Sequence, residues 1–149
     1  MKKIAVASDH AGARVKKQVL KDLDFLGLVF EDLSVSNSVD DDYPDFASRV
    51  ASVVSEKKVF GILSCGSGIG VSIVANKYNG VRAALCKTPR DAELSRKHND
   101  ANILVISGKT PLKDVRALLK KFFSSEFEKG RHLRRVNKIK KIELELLKK

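Results

Sequence analysis

Short apolar runs recur along the chain, separated by segments whose apolar residues return every three or four positions. The runs are Ile4-Ala5-Val6-Ala7 within Lys2 to Ser8, Leu28-Val29-Phe30, Val59-Phe60-Gly61-Ile62-Leu63, Val81-Arg82-Ala83-Ala84-Leu85 and Ile103-Leu104-Val105-Ile106. Near-continuous apolar runs of this length predict strands covered on both faces. Between the first two runs, Val15, Val19, Leu20 and Leu23 share one helix face from Arg14 to Phe25, with Gly27 as the stop signal. Ser34 to Asp42 reads as a polar loop. Tyr43-Pro44 then opens a helix, with Pro44 suited to its first turn and Phe46, Ala47, Val50, Ala51, Val53 and Val54 on its buried side. Further helices are predicted over Val71 to Lys77, from Thr88-Pro89 to about Lys97, from Pro111 through Phe122-Phe123, and after Gly130. Strand and helix alternate throughout, which predicts a three-layer α/β sandwich around about five mostly parallel strands, with an extra C-terminal helix. The sequence contains no repeat, linker or low-complexity tract, so residues 1–149 are expected to form a single domain.

One stretch stands apart from this pattern. Ser64-Cys65-Gly66-Ser67-Gly68-Ile69-Gly70 lies between a strand end and a helix start. Glycines let backbone N–H groups crowd toward a ligand. A helix N-terminus adds unpaired donors and partial positive charge, which suits an anion and favours a reactive thiol. The sharp reading is a reactive cysteine beside a set of oxyanion donors. The plain reading is a tight turn with a small buried thiol, and the turn alone does not choose between them.

In parallel α/β sheets, ligands bind outside the carboxyl ends of the strands. Four polar clusters are predicted there: Asp9-His10, the Cys65 turn, His98-Asn99 and Lys109. Their convergence, more than any one of them, predicts an active site. A thiol can serve as nucleophile or general base, and backbone donors beside it can hold an oxyanion. Histidine moves protons between oxygens near neutral pH, and arginine or lysine holds phosphate. Together these groups suit proton transfer beside a carbonyl on a phosphorylated small molecule.

Composition narrows the partners. The 149 residues are 43% hydrophobic, enough for a real core, and no apolar run approaches the ~20 residues of a membrane span. The basic, then apolar N-terminus is too short for a signal peptide and is interrupted by Asp9-His10. Cys65 and Cys86 are therefore expected as free thiols in a reducing cytoplasm. The net charge of +11 raises nucleic acid as a partner. However, acid collects at Asp40-Asp41-Asp42, base collects in the tail after Lys109, and aromatic residues are few for a base-stacking surface. No zinc-spaced Cys/His pair is present, and His10, His98 and His132 are scattered, so no metal site is expected. Asp9-His10-Ala11-Gly12 is not a dinucleotide fingerprint, and Cys65-Gly66-Ser67-Gly68 is not a nucleophile elbow. The apolar, basic C-terminal helix can dock on its own sheet or lie across a neighbour and bring arginines to that neighbour's site.

Several segments together resemble the type B ribose 5-phosphate isomerases, a family that also contains galactose 6-phosphate and allose 6-phosphate isomerases. They are Ala7-Ser8-Asp9-His10-Ala11-Gly12, Asp42-Tyr43-Pro44, Cys65 to Gly70, Ala75-Asn76-Lys77, Ser95 to Asn102, and Gly130-Arg131-His132 with Arg135. The resemblance spans nearly the whole chain. It implies a Rossmann-like fold and a metal-free, cofactor-free, cytoplasmic enzyme of the pentose phosphate pathway. It also implies a homodimer, in some members paired into tetramers, with sites at the subunit interface. By matching position, Cys65 is the base that moves a proton between C1 and C2 of the sugar through a cis-enediolate. The N–H groups of Gly66, Ser67, Gly68, Ile69 and Gly70 hold the oxyanion. His98 helps open the furanose ring with Asp9, and Asn99 and Tyr43 contact the sugar. His10, Arg131 and Arg135 contact substrate or phosphate, the two arginines reaching in from the partner subunit.

Two positions depart from the common pattern. Ser67 stands where many members carry threonine and keeps its hydroxyl. Lys109 stands where arginine is common, and it keeps the charge but loses the planar fork. Some relatives replace the cysteine with a glutamate base elsewhere; Ser72 and Ile73 offer no carboxylate, so this chain is expected to be of the cysteine type. Read without the resemblance, Asp9 would cap the first helix, His98 would cap a helix end, and Arg131 and Arg135 would form a solvated face. Cys86 is expected to be a structural thiol.

Overall fold

Strand-to-strand crossovers in a parallel sheet are right-handed, and in this chain that rule decides which side of the sheet each helix covers. The computed structural model describes residues 2–34 and 42–149; most of the expected polar loop from Ser34 to Asp42 lies outside the described residues. In chain order the elements are β1 (Ile4–Ser8), α1 (Ala13–Phe25), β2 (Phe30–Asp32), α2 (Tyr43–Lys57), β3 (Gly61–Cys65) and α3 (Ile69–Ala75). They continue with β4 (Ala83–Leu85), α4 (Pro89–Asn99), β5 (Ile103–Ser107), α5 (Leu112–Ser124) and α6 (Arg131–Leu147). A 3-10 turn, His10–Gly12, joins β1 to α1.

The sheet has five strands in the order β2-β1-β3-β5-β4, and every pairing is parallel. The steps from β1 to β2 and from β4 to β5 run in one direction across the sheet; the steps from β2 to β3 and from β3 to β4 run in the other. The right-handed rule therefore puts α1 and α4 on one face and α2 and α3 on the other. The buried side chains follow this division. Val6, Ile62, Leu104 and Ile106 pack with Val15, Val19 and Leu23 of α1 and with Leu118, Leu119 and Phe122 of α5. Ala5, Ala7, Leu63, Cys65 and Val105 pack with Phe46, Val50 and Val54 of α2 and with Val71 and Ala75 of α3. Neighbouring residues of one strand thus serve opposite layers, as the period of two requires.

Most expected boundaries hold to within two residues. The second strand begins at Phe30 rather than Leu28, because the Leu28 N–H still donates to Leu23 O at the end of α1. The helix after the cysteine turn begins at Ile69, earlier than expected. The helix opened by Thr88-Pro89 runs to Asn99, so His98 and Asn99 belong to its last turn. Its N-terminus carries a full capping box of Thr88 and Asp91. Pro44 sits in the first turn of α2, as expected.

Helix α6 is the least embedded element. Only His132 and Val136 are buried on it, while Leu133, Ile139, Ile142, Leu144, Leu146 and Leu147 are exposed. Far from its start, the Glu143 carboxylate accepts the Gly80 N–H at 2.8 Å. On α3, Ile69 and Ile73 are likewise exposed, one turn apart.

Phe122 anchors the α5 side. It is fully buried and meets Phe60 and Phe123 edge to face, with ring centroids 5.8 and 5.1 Å away. Truncating such a ring removes its burial and leaves a cavity. Phe122→Ala is expected to cost about 3–5 kcal/mol, read as a drop in the urea midpoint with an unchanged slope.

Candidate active site

The sheet reverses its winding between β1 and β3, since the chain leaves β1 toward one edge and β3 toward the other. A crevice opens outside the carboxyl ends at such a reversal. Cys65 ends β3 and Asp9 follows β1, so both fall at its mouth.

Three turns interlock there, and glycine makes the interlock possible at two points. A Cβ on Gly12 would lie 2.6 Å from the Ser64 carbonyl. A Cβ on Gly108 would lie 2.5 Å from Ala11 O and 3.0 Å from Cys65 O. The Gly108 N–H donates to Cys65 O at 2.7 Å, and the Ser107 hydroxyl donates to Gly66 O at 3.0 Å. The turn after β5, which carries Lys109, is thereby locked to the turns after β1 and β3. Asp9 caps the 3-10 turn by accepting the Gly12 N–H at 3.0 Å, one turn ahead of the first helix it was expected to cap, whose own N-cap is Gly12.

Within the cysteine turn, the Gly68 N–H points at Cys65 Sγ, 3.2 Å away. Gly68 has φ +81, and a Cβ there would also strike Leu85. Only glycine supplies that donor from that conformation. The Ser67 hydroxyl accepts the Ile69 N–H at 3.1 Å. The Tyr43 ring lies over Gly70, where an added Cβ would come within 2.6 Å of the ring. Asp9, His10, Tyr43, Cys65, Gly66, Ser67, Gly68, Ile69, Gly70 and Lys109 thus belong to one end of the sheet.

His98-Asn99 does not lie at that end, contrary to expectation. A helix that follows β4 descends to the amino ends before β5 begins. Asn102 marks the place: its carbonyl accepts from Gly61 at the start of β3, and its N–H donates to Arg82 O ahead of β4. Arg82 Nε also donates to the Asn99 and Asp100 carbonyls. β3 alone puts four steps of about 3.3 Å between this region and Cys65. Arg131 and Arg135 share the amino-end region, because His132 of α6 stacks on His98, with ring centroids 4.1 Å apart and planes 10° apart. The expected site is therefore split within one chain: Cys65 and its turn at one end, His98, Asn99, Arg131 and Arg135 at the other.

Other parts of the quoted segments prove architectural. Asp100, at φ +48, ends α4 and binds Arg82 and Arg96 through its two carboxylate oxygens. The Asn102 amide bridges Arg82 N–H and Gly80 O. The Asn76 amide pairs with both backbone groups of Ala83, which fastens α3 to β4. His132 carried no assigned role in the sequence; its burial against His98 depends on a contact between distant helices, which no local pattern announces.

The charge environment differs between the two ends. Burial alone would raise the Asp32 carboxyl, but hydrogen bonds from Lys16 and Ser34 outweigh it and hold the group below its ordinary range. His132 is held below the usual imidazole range, first by burial and then by the positive surroundings of His98, Arg131 and Arg135.

This chain matches the ribose/galactose isomerase family over residues 4–139. It belongs to that family. Among individual proteins it is similar to ribose-5-phosphate isomerase B of Escherichia coli (strain K12), with 40% identity over 145 residues, 96% of this chain and 97% of that protein. It is also similar in structure to the ribose 5-phosphate isomerase of Thermotoga maritima, with a TM-score of 0.87 and 43% identity, covering 93% of this chain and 97% of that one. The ribose-5-phosphate isomerase B of Mycoplasma genitalium, solved with bound ribulose-5-phosphate, gives a TM-score of 0.89 and 39% identity, covering 96% of this chain and 97% of that one. The expected α/β fold and family are thus borne out. Among the described residues no helix is long and apolar enough to cross a membrane.

Cys86 lies away from the cysteine turn, in the core layer beneath α1, α4 and α5. It is buried at 2% exposure, and burial first of all pushes its thiol up to about 11. Native protein treated with iodoacetamide at pH 8 is expected to leave Cys86 unmodified until denaturant is added, as read by mass spectrometry of the peptides.

Proposed function

We propose that this protein interconverts D-ribose 5-phosphate and D-ribulose 5-phosphate, with Cys65 as the base. The observation that carries the reading is the thiol at the sheet's switch point with the Gly68 N–H aimed at its sulfur. The names of the similar proteins support the substrate. Starting from the aldose, the Cys65 thiolate takes the proton from C2 of the open-chain sugar. The C2–H electron pair forms the C1–C2 double bond of a cis-enediol(ate), and the former carbonyl oxygen takes up charge or a proton. The thiol then returns the proton to C1, while the C2 hydroxyl gives up its proton to the C1 oxygen and becomes the ketone. N–H groups of the Gly66–Gly70 turn hold the oxyanion through charge-assisted hydrogen bonds. Tyr43 flanks the sugar. His10, Lys109, Arg131 and Arg135 bind the phosphate end.

His98, Asn99, Arg131 and Arg135 reach the Cys65 turn only from a second copy of the chain. The working unit is therefore a homodimer in which Asp9 and Cys65 of one copy face His98 and the two arginines of the other. The exposed apolar residues of α6, with Ile69 and Ile73 of α3, supply surface for such pairing. His98 then moves the ring-opening proton between the furanose oxygen and the C1 hydroxyl. The chain works as one domain, in the cytoplasm, as a step of the pentose phosphate pathway.

Purified protein in chelator is expected to convert ribose 5-phosphate, and Cys65→Ala to lose about 100-fold or more in kcat. Full turnover by Cys65→Ala would overturn the assignment of the base. Inertness toward ribose 5-phosphate, with turnover of allose 6-phosphate or galactose 6-phosphate, would move the substrate to a hexose. Salt-sensitive affinity for DNA or RNA without any turnover would replace the enzymatic reading. Shared sites are tested separately. Cys65→Ala and His98→Asn, each inactive alone, are expected to regain activity after being unfolded and refolded together, because a mixed dimer keeps one site with both groups intact. No recovery, despite mixed dimers seen by native mass spectrometry, would overturn the shared site.

A further inference from the structure

The two histidines that stack at the amino end of the sheet are far apart in sequence, and the chain goes to some length to bring them together. The Glu128 N–H donates to Lys97 O at 3.0 Å, which pins the link after α5 to the last turn of α4. Lys129 and Gly130 then both take positive φ, +63 and +54, and turn the chain directly into α6. His132, in the first turn of α6, comes to rest face to face with His98. Glu128 Oε2 lies 3.7 Å from His132 Nε2. One ligand atom from each of His98, Glu128 and His132 lies within 4.8 Å of the others.

We propose that His98, Glu128 and His132 form a binding site for a zinc-class divalent cation, which inhibits the enzyme by taking His98 out of the reaction. The inhibition rests on the role proposed above for His98; the site itself does not. Two imidazoles and one carboxylate are a competent zinc donor set that leaves a fourth position for water. Around a tetrahedral zinc with bonds near 2.0–2.1 Å, the ligand atoms sit about 3.3 Å apart. The three groups must therefore close by roughly an ångström or more and turn the stacked rings toward a common point. Glu128 is half exposed and free to swing, and His98 is only partly buried, whereas His132 is fixed in the interior.

The surroundings explain why the carboxylate matters. Lys129, Arg131 and Arg135 make the neighbourhood electropositive, which disfavours a cation. Glu128 is the acidic member of the set and offsets that field, so its charge, more than its shape, is required. An ion held there occupies a ring nitrogen of His98, and a metallated imidazole cannot shuttle a proton. The effect is inhibitory and differs from metal-assisted catalysis: the proton transfer assigned to Cys65 uses no Lewis acid.

The test uses untagged full-length protein and zinc chloride. Calorimetry is run on the Cys65→Ala background, which removes the thiol of the rim as a competing zinc ligand; exposed His10 is present in every variant and cancels in the comparison. One zinc per chain is expected, with Glu128→Gln weakening the affinity at least tenfold and His132→Gln abolishing it. Circular dichroism checks that His132→Gln is folded, and exposed Glu128 keeps the test decisive if it is not. In parallel, Glu128→Gln with Cys65 intact is expected to match the parent's turnover in chelator and to need at least tenfold more zinc for half-inhibition. Zinc affinity unchanged by Glu128→Gln, or no zinc bound, overturns the site. Zinc bound without loss of turnover overturns the inhibition. Should the protein lack isomerase activity in chelator, the calorimetry still decides the site, so the two failures are distinguishable.

Discussion

Backbone approaches backbone at the carboxyl end of the sheet more closely than any side chain permits, and the candidate site depends on that approach. Gly12 presses on the Ser64 carbonyl, and Gly108 sits between the carbonyls of Ala11 and Cys65. A methyl group at either position would force two turns apart. The consequence is that the loops after β1, β3 and β5 behave as one rigid rim. The sulfur of Cys65 and the N–H of Gly68 then keep their separation without help from a ligand, which is what electrostatic preorganisation requires.

The second constraint is topological. A helix that follows a parallel strand must return to the sheet's amino end before the next strand starts. Whatever α4 carries in its last turn is therefore kept away from the rim of the same chain. His98 obeys this rule, and so does the start of α6, which is tied to α4 through the stacked imidazoles and the hydrogen bond from Glu128 to Lys97. One chain thus displays two incomplete sets of polar groups, each well ordered by its own contacts. The division follows from the fold rather than from any looseness in the site.

Much of this was legible in the amino-acid order. The apolar runs located all five strands because parallel strands are buried on both faces, and the capping residues Pro44, Thr88 and Gly130 marked helix starts within a residue or two. The cysteine turn was readable because glycine has few reasons to recur at such short spacing. The position of His98-Asn99 is the exception, because these residues end α4 at the amino side of the sheet. The α4 periodicity is weak, with only Ala92 and Ser95 buried, so the residue pattern does not tell on which side of the sheet the polar end of this helix lies. The pairing of His98 with His132 was invisible for another reason: it is a contact between two helices with α5 between them in sequence. The roles of Asp100, Asn102 and Asn76 were also hidden, since a side chain that binds distant backbone looks like a binding residue until its partner is known.

Helix α6 has a colloidal consequence. Its apolar residues Ile139, Ile142, Leu146 and Leu147 are bare on the single chain and are interleaved with Arg134, Arg135, Lys138, Lys140 and Lys141. The whole chain adds 29 basic residues against 18 acidic ones. Mutual repulsion at that net charge keeps like surfaces from meeting at random, so only a geometry that separates the basic rows brings the apolar ones together. Dissolved salt weakens that repulsion over a distance of about 8–10 Å. The ionic strength of the medium therefore sets how selective this greasy, cationic edge is about its company, and a concentrated salt solution makes it indiscriminate.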